Sequence, residues 1–63
     1  MKNRPEIMTL PEVAAYLKSS IKTVRRRISK GKIEAFKEGG RLLVLSDELD
    51  RYIQSQIRRV RKV

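Results

Sequence analysis

The chain has 63 residues, with sixteen Lys and Arg against seven Asp and Glu, a formal charge of +9, and neither cysteine nor histidine. That length supports one domain with a small core, and the residue types exclude a disulfide framework, a thiolate or imidazole metal site and His- or Cys-based catalysis. The charge favours a polyanionic partner, nucleic acid before an anionic membrane, and with no signal-peptide core or membrane-length apolar run the expected location is the cytoplasm.

Residues 1–7 read as a flexible N-terminal arm. Met1-Lys2-Asn3-Arg4-Pro5 has no periodicity, and Pro5 disfavours helix just before it. Ile7 is expected as a hydrophobic staple on the first helix. That helix is predicted over Leu10–Lys18, with Thr9 as N-cap, Glu12 at capping-box spacing and Pro11 tolerated in the first turn. Leu10, Val13, Ala14 and Leu17 fall on one stripe, and the small Ala14 permits close approach of another helix. Ser19-Ser20 then leaves room only for a short turn.

The second helix is predicted over Ile21–Lys30, between the N-cap Ser20 and Gly31, which stands where a left-handed C-terminal cap is favoured. At about 100° per residue, Val24, Ile28 and Ile21 form its buried edge. Arg26 lies almost diametrically opposite, with Lys22, Ser29 and Lys30 beside it. Arg25 lies on one flank, and Thr23 and Arg27 lie on the other.

Ile33–Lys37 and Arg41–Leu45 read as two short strands joined at Gly39-Gly40, a two-residue turn in which both positions favour positive φ. Alternation puts Leu42 and Val44 on one face, Leu43 and Leu45 on the other; it does not place Phe36. A third helix follows Ser46. Asp47, Glu48 and Asp50 crowd its start and Arg58, Arg59, Arg61 and Lys62 its end, both matching the helix dipole. Leu49, Tyr52 and Ile53 make its inner stripe, and fraying is expected beyond about Gln56. The expected fold is mainly α with a small β-hairpin, in the order α-α-β-β-α. Residues 8–56 form the domain and 57–63 a basic tail.

Between Val13 and Lys32 lie seven basic residues and no acidic one. Two helices joined by a short turn, the second of them basic, make a helix-turn-helix candidate for duplex DNA. In that arrangement the first helix braces the second, whose N-terminal half enters the major groove. Lys22, Thr23 and Arg26 then face base edges: arginine can clamp guanine O6 and N7, and the threonine methyl can touch a thymine methyl. Arg25 and Arg27 suit phosphates on either groove wall, and Lys30 extends the same basic face. Beside such a unit the hairpin becomes a wing, with Gly39 and Gly40 allowing close backbone approach and Lys37 and Arg41 supplying charge. Ser20, Arg58 and Arg59 are further candidates for phosphate contact, although Ser20 is first a cap and the basic end equally suits solvent or a neighbouring copy. Asp47, Glu48 and Asp50 are explained by the helix dipole better than by a metal. No catalytic residue, metal or cofactor is expected.

The run Met8-Thr9-Leu10-Pro11-Glu12-Val13-Ala14-Ala15-Tyr16-Leu17 closely resembles the opening of the excisionase-type DNA-binding domain, a small winged helix-turn-helix. So do Ser20 and Thr23-Val24-Arg25-Arg26, Gly31-Lys32-Ile33, Lys37-Glu38-Gly39-Gly40-Arg41, and Leu49 with Tyr52-Ile53. The resemblance covers residues 8–53. It implies a fold related to the DNA-binding heads of MerR-type regulators, with Lys22, Thr23, Arg25 and Arg26 on the reading helix and Lys37, Gly39, Gly40 and Arg41 on the wing. Many members of that family serve phages, plasmids and other mobile elements. They bind side by side, bend DNA and steer a tyrosine recombinase (integrase) toward excision. The chain departs at Leu42, where relatives often carry an aromatic, and at Arg27, where they often carry an apolar residue.

The leading expectation is therefore an excisionase, or recombination directionality factor, with double-stranded DNA, an integrase and cooperative copies of itself as partners. A small transcriptional regulator is the alternative within the same class. A basic amphipathic membrane or protein module over 46–63 is weakened by the acidic first turn and short stripe, and single-strand RNA recognition by the scarcity of aromatics.

Overall fold

The computed structural model describes residues 5–60. The elements in chain order are β1 (Ile7–Thr9), α1 (Leu10–Leu17), α2 (Ile21–Ser29), β2 (Phe36–Glu38), β3 (Arg41–Leu45) and α3 (Ser46–Val60). The expected α-α-β-β-α order is present, preceded by one further short strand. The three strands form an antiparallel sheet in the order β1-β3-β2.

Both helices of the N-terminal hairpin are bounded by local chemistry. Thr9 Oγ1 accepts a hydrogen bond from the Glu12 amide at 3.3 Å, and the Glu12 carboxylate accepts one from the Thr9 amide at 2.8 Å. This closed capping box satisfies two amides that the first turn would leave unpaired. At the other end Lys18 turns left-handed at φ 55, its amide reaching the Ala15 carbonyl and that of Ser19 the Ala14 carbonyl. In α2 the Ser20 Oγ accepts from the Thr23 amide at 3.1 Å. The helix closes as the sequence indicates: Gly31 takes φ 77, its amide bonds the Ile28 carbonyl, and the Lys32 amide bonds the Arg27 carbonyl at 2.8 Å.

The core gathers Met8, Leu10, Val13, Ala14, Val24, Ile33, Val44, Leu49 and Tyr52, with Leu17, Ile28, Ala35, Leu42 and Ile53 packed against it. The apolar stripes of α1 and α3 thus face inward as expected. So do Leu42 and Val44, while Leu45 stays on the outer face at 40% exposure. Phe36 pairs with Leu43 on that same outer face.

Four expectations are corrected. Ile7–Thr9 is a strand rather than the end of a loose arm: Ile7 pairs with Leu45 and Met8 with Val44, and the Ser46 amide bonds the Glu6 carbonyl at 2.7 Å. Three residues carry too little alternation to announce a strand whose partner lies far along the chain. The first hairpin strand is only Phe36–Glu38, because Ile33 leaves the ladder to plug the core. The third helix continues past Gln56 to Val60. Ile21, expected on the buried edge, is 41% exposed, because the wheel gives its direction and not where α1 stops covering α2. The candidate contacts Arg58 and Arg59, residues 1–4 of the expected arm and residues 61–63 of the expected tail lie outside the residues whose side chains are described.

Candidate nucleic-acid interface

Helix α2 is held against α1 by Val24, fully buried, and by Ala14, whose small side chain permits close approach. The opposite arc therefore faces solvent. Lys22, Arg25, Arg26 and Lys30 are exposed there, while Thr23 and Arg27 are half-buried. Thr23 is partly committed to the cap, its Oγ1 accepting a hydrogen bond from the Ser20 hydroxyl at 3.0 Å. Ser20 likewise serves the cap. Ser19 Oγ is buried and lacks a hydrogen-bond partner, so it is not presented to a phosphate.

The wing is a tight hairpin in which Glu38 opposes Arg41, with Gly39 at φ 59 and Gly40 at φ 82. Positive φ at both central residues is the geometry of a type I′ turn, which glycine adopts without penalty. A Cβ built at Gly40 would meet nothing within 4 Å. The tip is thus bare backbone open to whatever approaches it.

Between α2 and the wing runs an open groove of about 500 Å³. Arg25 enters it from the helix, Lys37 and Arg41 from the wing, with Gly40 on the rim. Thr9, Leu10, Pro11, Ile21 and Leu42 form the remaining walls. Cationic and apolar residues line it together, and no carboxylate is among the described residues that do so. Lys37 points this way because it shares the inner face of the sheet with its register partner Leu42. Four predicted site residues, Arg25, Lys37, Gly40 and Arg41, are thus brought together. Lys22 and Gly39 are exposed outside the groove. Arg26, Arg27 and Lys30 lie on the other side of α2.

Arg27 has a partner that the sequence reading did not supply: its guanidinium carbon stands 5.7 Å from the centroid of the Tyr52 ring, a cation–π distance. The groove's apolar walls, Ile21 above all, were also missed, because Ile21 reads as core by periodicity. No group of three or more His, Cys, Asp or Glu among the described residues could hold a metal ion. Among those residues no helix is long and apolar enough to cross a membrane.

Two packed helices, a basic outward face and an adjoining hairpin define a winged helix-turn-helix, a class that binds DNA. Comparison with known families agrees: residues 7–57 match the family described as a helix-turn-helix domain. The chain belongs to this excisionase-type helix-turn-helix family. No curated protein matches it.

Proposed function

We propose that this chain is a recombination directionality factor of excisionase type, a duplex-DNA-binding accessory protein that bends its site for a tyrosine recombinase. The observation that carries the reading is the groove between α2 and the wing. Arg25, Lys37 and Arg41 line it together with Gly40 and the apolar residues Leu10, Pro11, Ile21 and Leu42. A sugar-phosphate strand has that complementary character: anionic oxygens outside, apolar deoxyribose faces beneath. With the strand in the groove, α2 lies in the major groove, where Lys22, Arg26 and the Thr23 methyl meet base edges. Such a helix offers only about three or four side chains to bases. Selectivity for a longer recombination site then comes from several copies side by side. The chain works without catalysis of its own, and in the cytoplasm, where its DNA is.

Nuclease footprinting on fragments flanking the gene, joined to an excision assay with any tyrosine recombinase encoded beside it, tests the proposal. The expected result is a protected array of repeated units beside the recombination site and a shift of recombination toward excision. Protection confined to a promoter, with recombination unaltered, would assign a transcriptional regulator instead. With about five to seven phosphates engaged, log affinity should fall with log salt at a slope of roughly −5 to −6. A flat salt dependence would remove the basic surface from the interface.

A further inference from the structure

The outer face of the sheet carries an apolar patch that neither the main core nor the groove uses. Ile7 and Leu45, opposite each other in the register, are both exposed there, and Phe36 is half-buried beside Leu43. Glu34 and Glu48 border the patch. With Ala35, Phe36 and Leu45 they line an open depression of about 190 Å³. No Lys or Arg is among the described residues that line it. In a chain of charge +9 this is a locally acidic surface. Glu48 stands 3.9 Å from the exposed Arg51, an i,i+3 pair that holds it weakly.

Sheet alternation keeps this face apart from the groove. Lys37 and Leu42 point to the inner side and line the groove, whereas Phe36 and Leu45 point to the other side. A duplex seated in the groove leaves the patch uncovered, and the carboxylates of the patch would repel phosphate. Its complement is a segment both cationic and apolar. The chain contains one: Ile57-Arg58-Arg59-Val60-Arg61-Lys62-Val63, four cations among three aliphatic residues. Ile57 is exposed on α3. A copy cannot lay this segment on its own patch. From Glu48 to Val60 the helix rises about 18 Å away from the patch. The last three residues of the segment span at most about 11 Å.

We propose that the outer sheet face of one copy receives segment 57–63 of the next copy, head to tail. Ile57 packs on Ile7 and Leu45, and the arginines face Glu34 and Glu48. Donor and receiver lie at opposite ends of α3, so the contact is heterologous and extends copy by copy along a duplex. Four apolar side chains fall well short of the ~800 Å² per partner of a stable complex, and copies of charge +9 repel in free solution. DNA neutralises that charge and holds neighbours at high effective concentration. The contact therefore forms on DNA and not away from it. It rests on the reading of several copies side by side on duplex DNA, and it assigns the two surfaces through which they meet.

The test titrates the full chain by band shift on a duplex with one footprinted unit and on a duplex with two adjacent units. The unmutated chain should sediment as a monomer without DNA. It should fill the second unit about tenfold more tightly than the first, within the coupling usual between sites. Glu34→Lys with Glu48→Lys, and separately Arg58→Glu with Arg59→Glu, should each bring that factor to about one. All four substitutions in one chain exchange the charges and should restore it. Leu45→Gln, at an exposed position, should lower the factor while keeping one-unit affinity and the melting transition. Inserting about five base pairs between the units turns the second copy by half a helical turn and should abolish the factor. The proposal is overturned if the patch variants keep the factor, or if Arg58→Glu with Arg59→Glu lowers one-unit affinity alone, which would make the segment a phosphate contact. A patch variant that loses excision yet keeps the factor also overturns it, and assigns the face to another protein. A factor of one for the unmutated chain overturns the contact but leaves DNA binding standing. Absence of one-unit binding overturns the duplex-DNA reading itself, so the one-unit duplex separates the two failures.

Discussion

The helical hairpin and the sheet of this molecule are specified in opposite ways. The hairpin of α1 and α2 is written locally: Thr9 with Glu12, Ser20 with Thr23, and Gly31 closing the second helix. The sheet is largely non-local, since β1 at the start of the chain finds its partner in β3, with Met8 opposite Val44. The groove between α2 and the wing takes Arg25 from the first region and Lys37 and Arg41 from the second. Local chemistry therefore forms α2, and long-range packing fixes its distance from the wing. A substitution in one region should injure reading, and one in the other should injure spacing or stability.

The largest effect should come from Met8→Ala. Met8 is 2% exposed, on the inner face of β1 in the common core. Truncating such a side chain costs about 2–5 kcal/mol, against a total at the lower end of the ~5–15 kcal/mol usual for a domain. Urea denaturation should show a large fall in midpoint or loss of a cooperative transition. Leu45→Ala, 40% exposed on the outer face of the same sheet, should cost clearly less. Equal responses would mean that β1 contributes nothing to the core beyond its neighbours.

Next comes Arg26→Ala, an exposed position on α2. It should leave the melting temperature in place while costing about 1–3 kcal/mol of affinity on the preferred site, with relaxed base preference. Competition titrations against scrambled duplex check this. Uniform weakening on every sequence would reassign Arg26 to a phosphate.

Gly40→Val acts on the other side of the groove. No atom lies within 4 Å of the added Cβ, so the cost is backbone strain at φ 82 rather than collision. That strain is about 1–2 kcal/mol. DNA binding should weaken as well, because the branched side chain covers backbone at the wing tip. A footprint unchanged at its flanks would take the wing out of the interface.

The same division explains what was legible in the sequence. Caps and stripes fixed both helices of the hairpin to within a residue, because each signal spans three or four positions. The Gly39-Gly40 turn was equally plain, and with it the wing residues Lys37 and Arg41. Strand β1 was not, since its hydrogen bonds lie with β3 and nothing in Ile7-Met8-Thr9 announces that partner. Ile21 misled for a related reason. Periodicity places it beside Val24, but Ile21 is 41% exposed and becomes a wall of the groove. The Arg27–Tyr52 contact joins two elements with a hairpin between them, and only the fold brings them together.

The smallest effect should fall in the turn between α1 and α2, where local encoding is least favourable. Lys18 holds φ 55 and ψ 45, a left-handed conformation that costs a residue with a Cβ about 1–2 kcal/mol. Its side chain is exposed, so removal sacrifices little packing. Glycine relieves the strain but gives the unfolded chain more freedom, worth about 0.5–1 kcal/mol in the opposite direction. Lys18→Gly should therefore stabilise the protein by at most about 1.5 kcal/mol, read as a rise of a few degrees in melting temperature. DNA affinity should change by at most one phosphate contact. A drop in stability would mean that the Lys18 side chain makes contacts worth more than the strain it carries, and that the turn is held by tertiary packing rather than by tolerance of an awkward backbone.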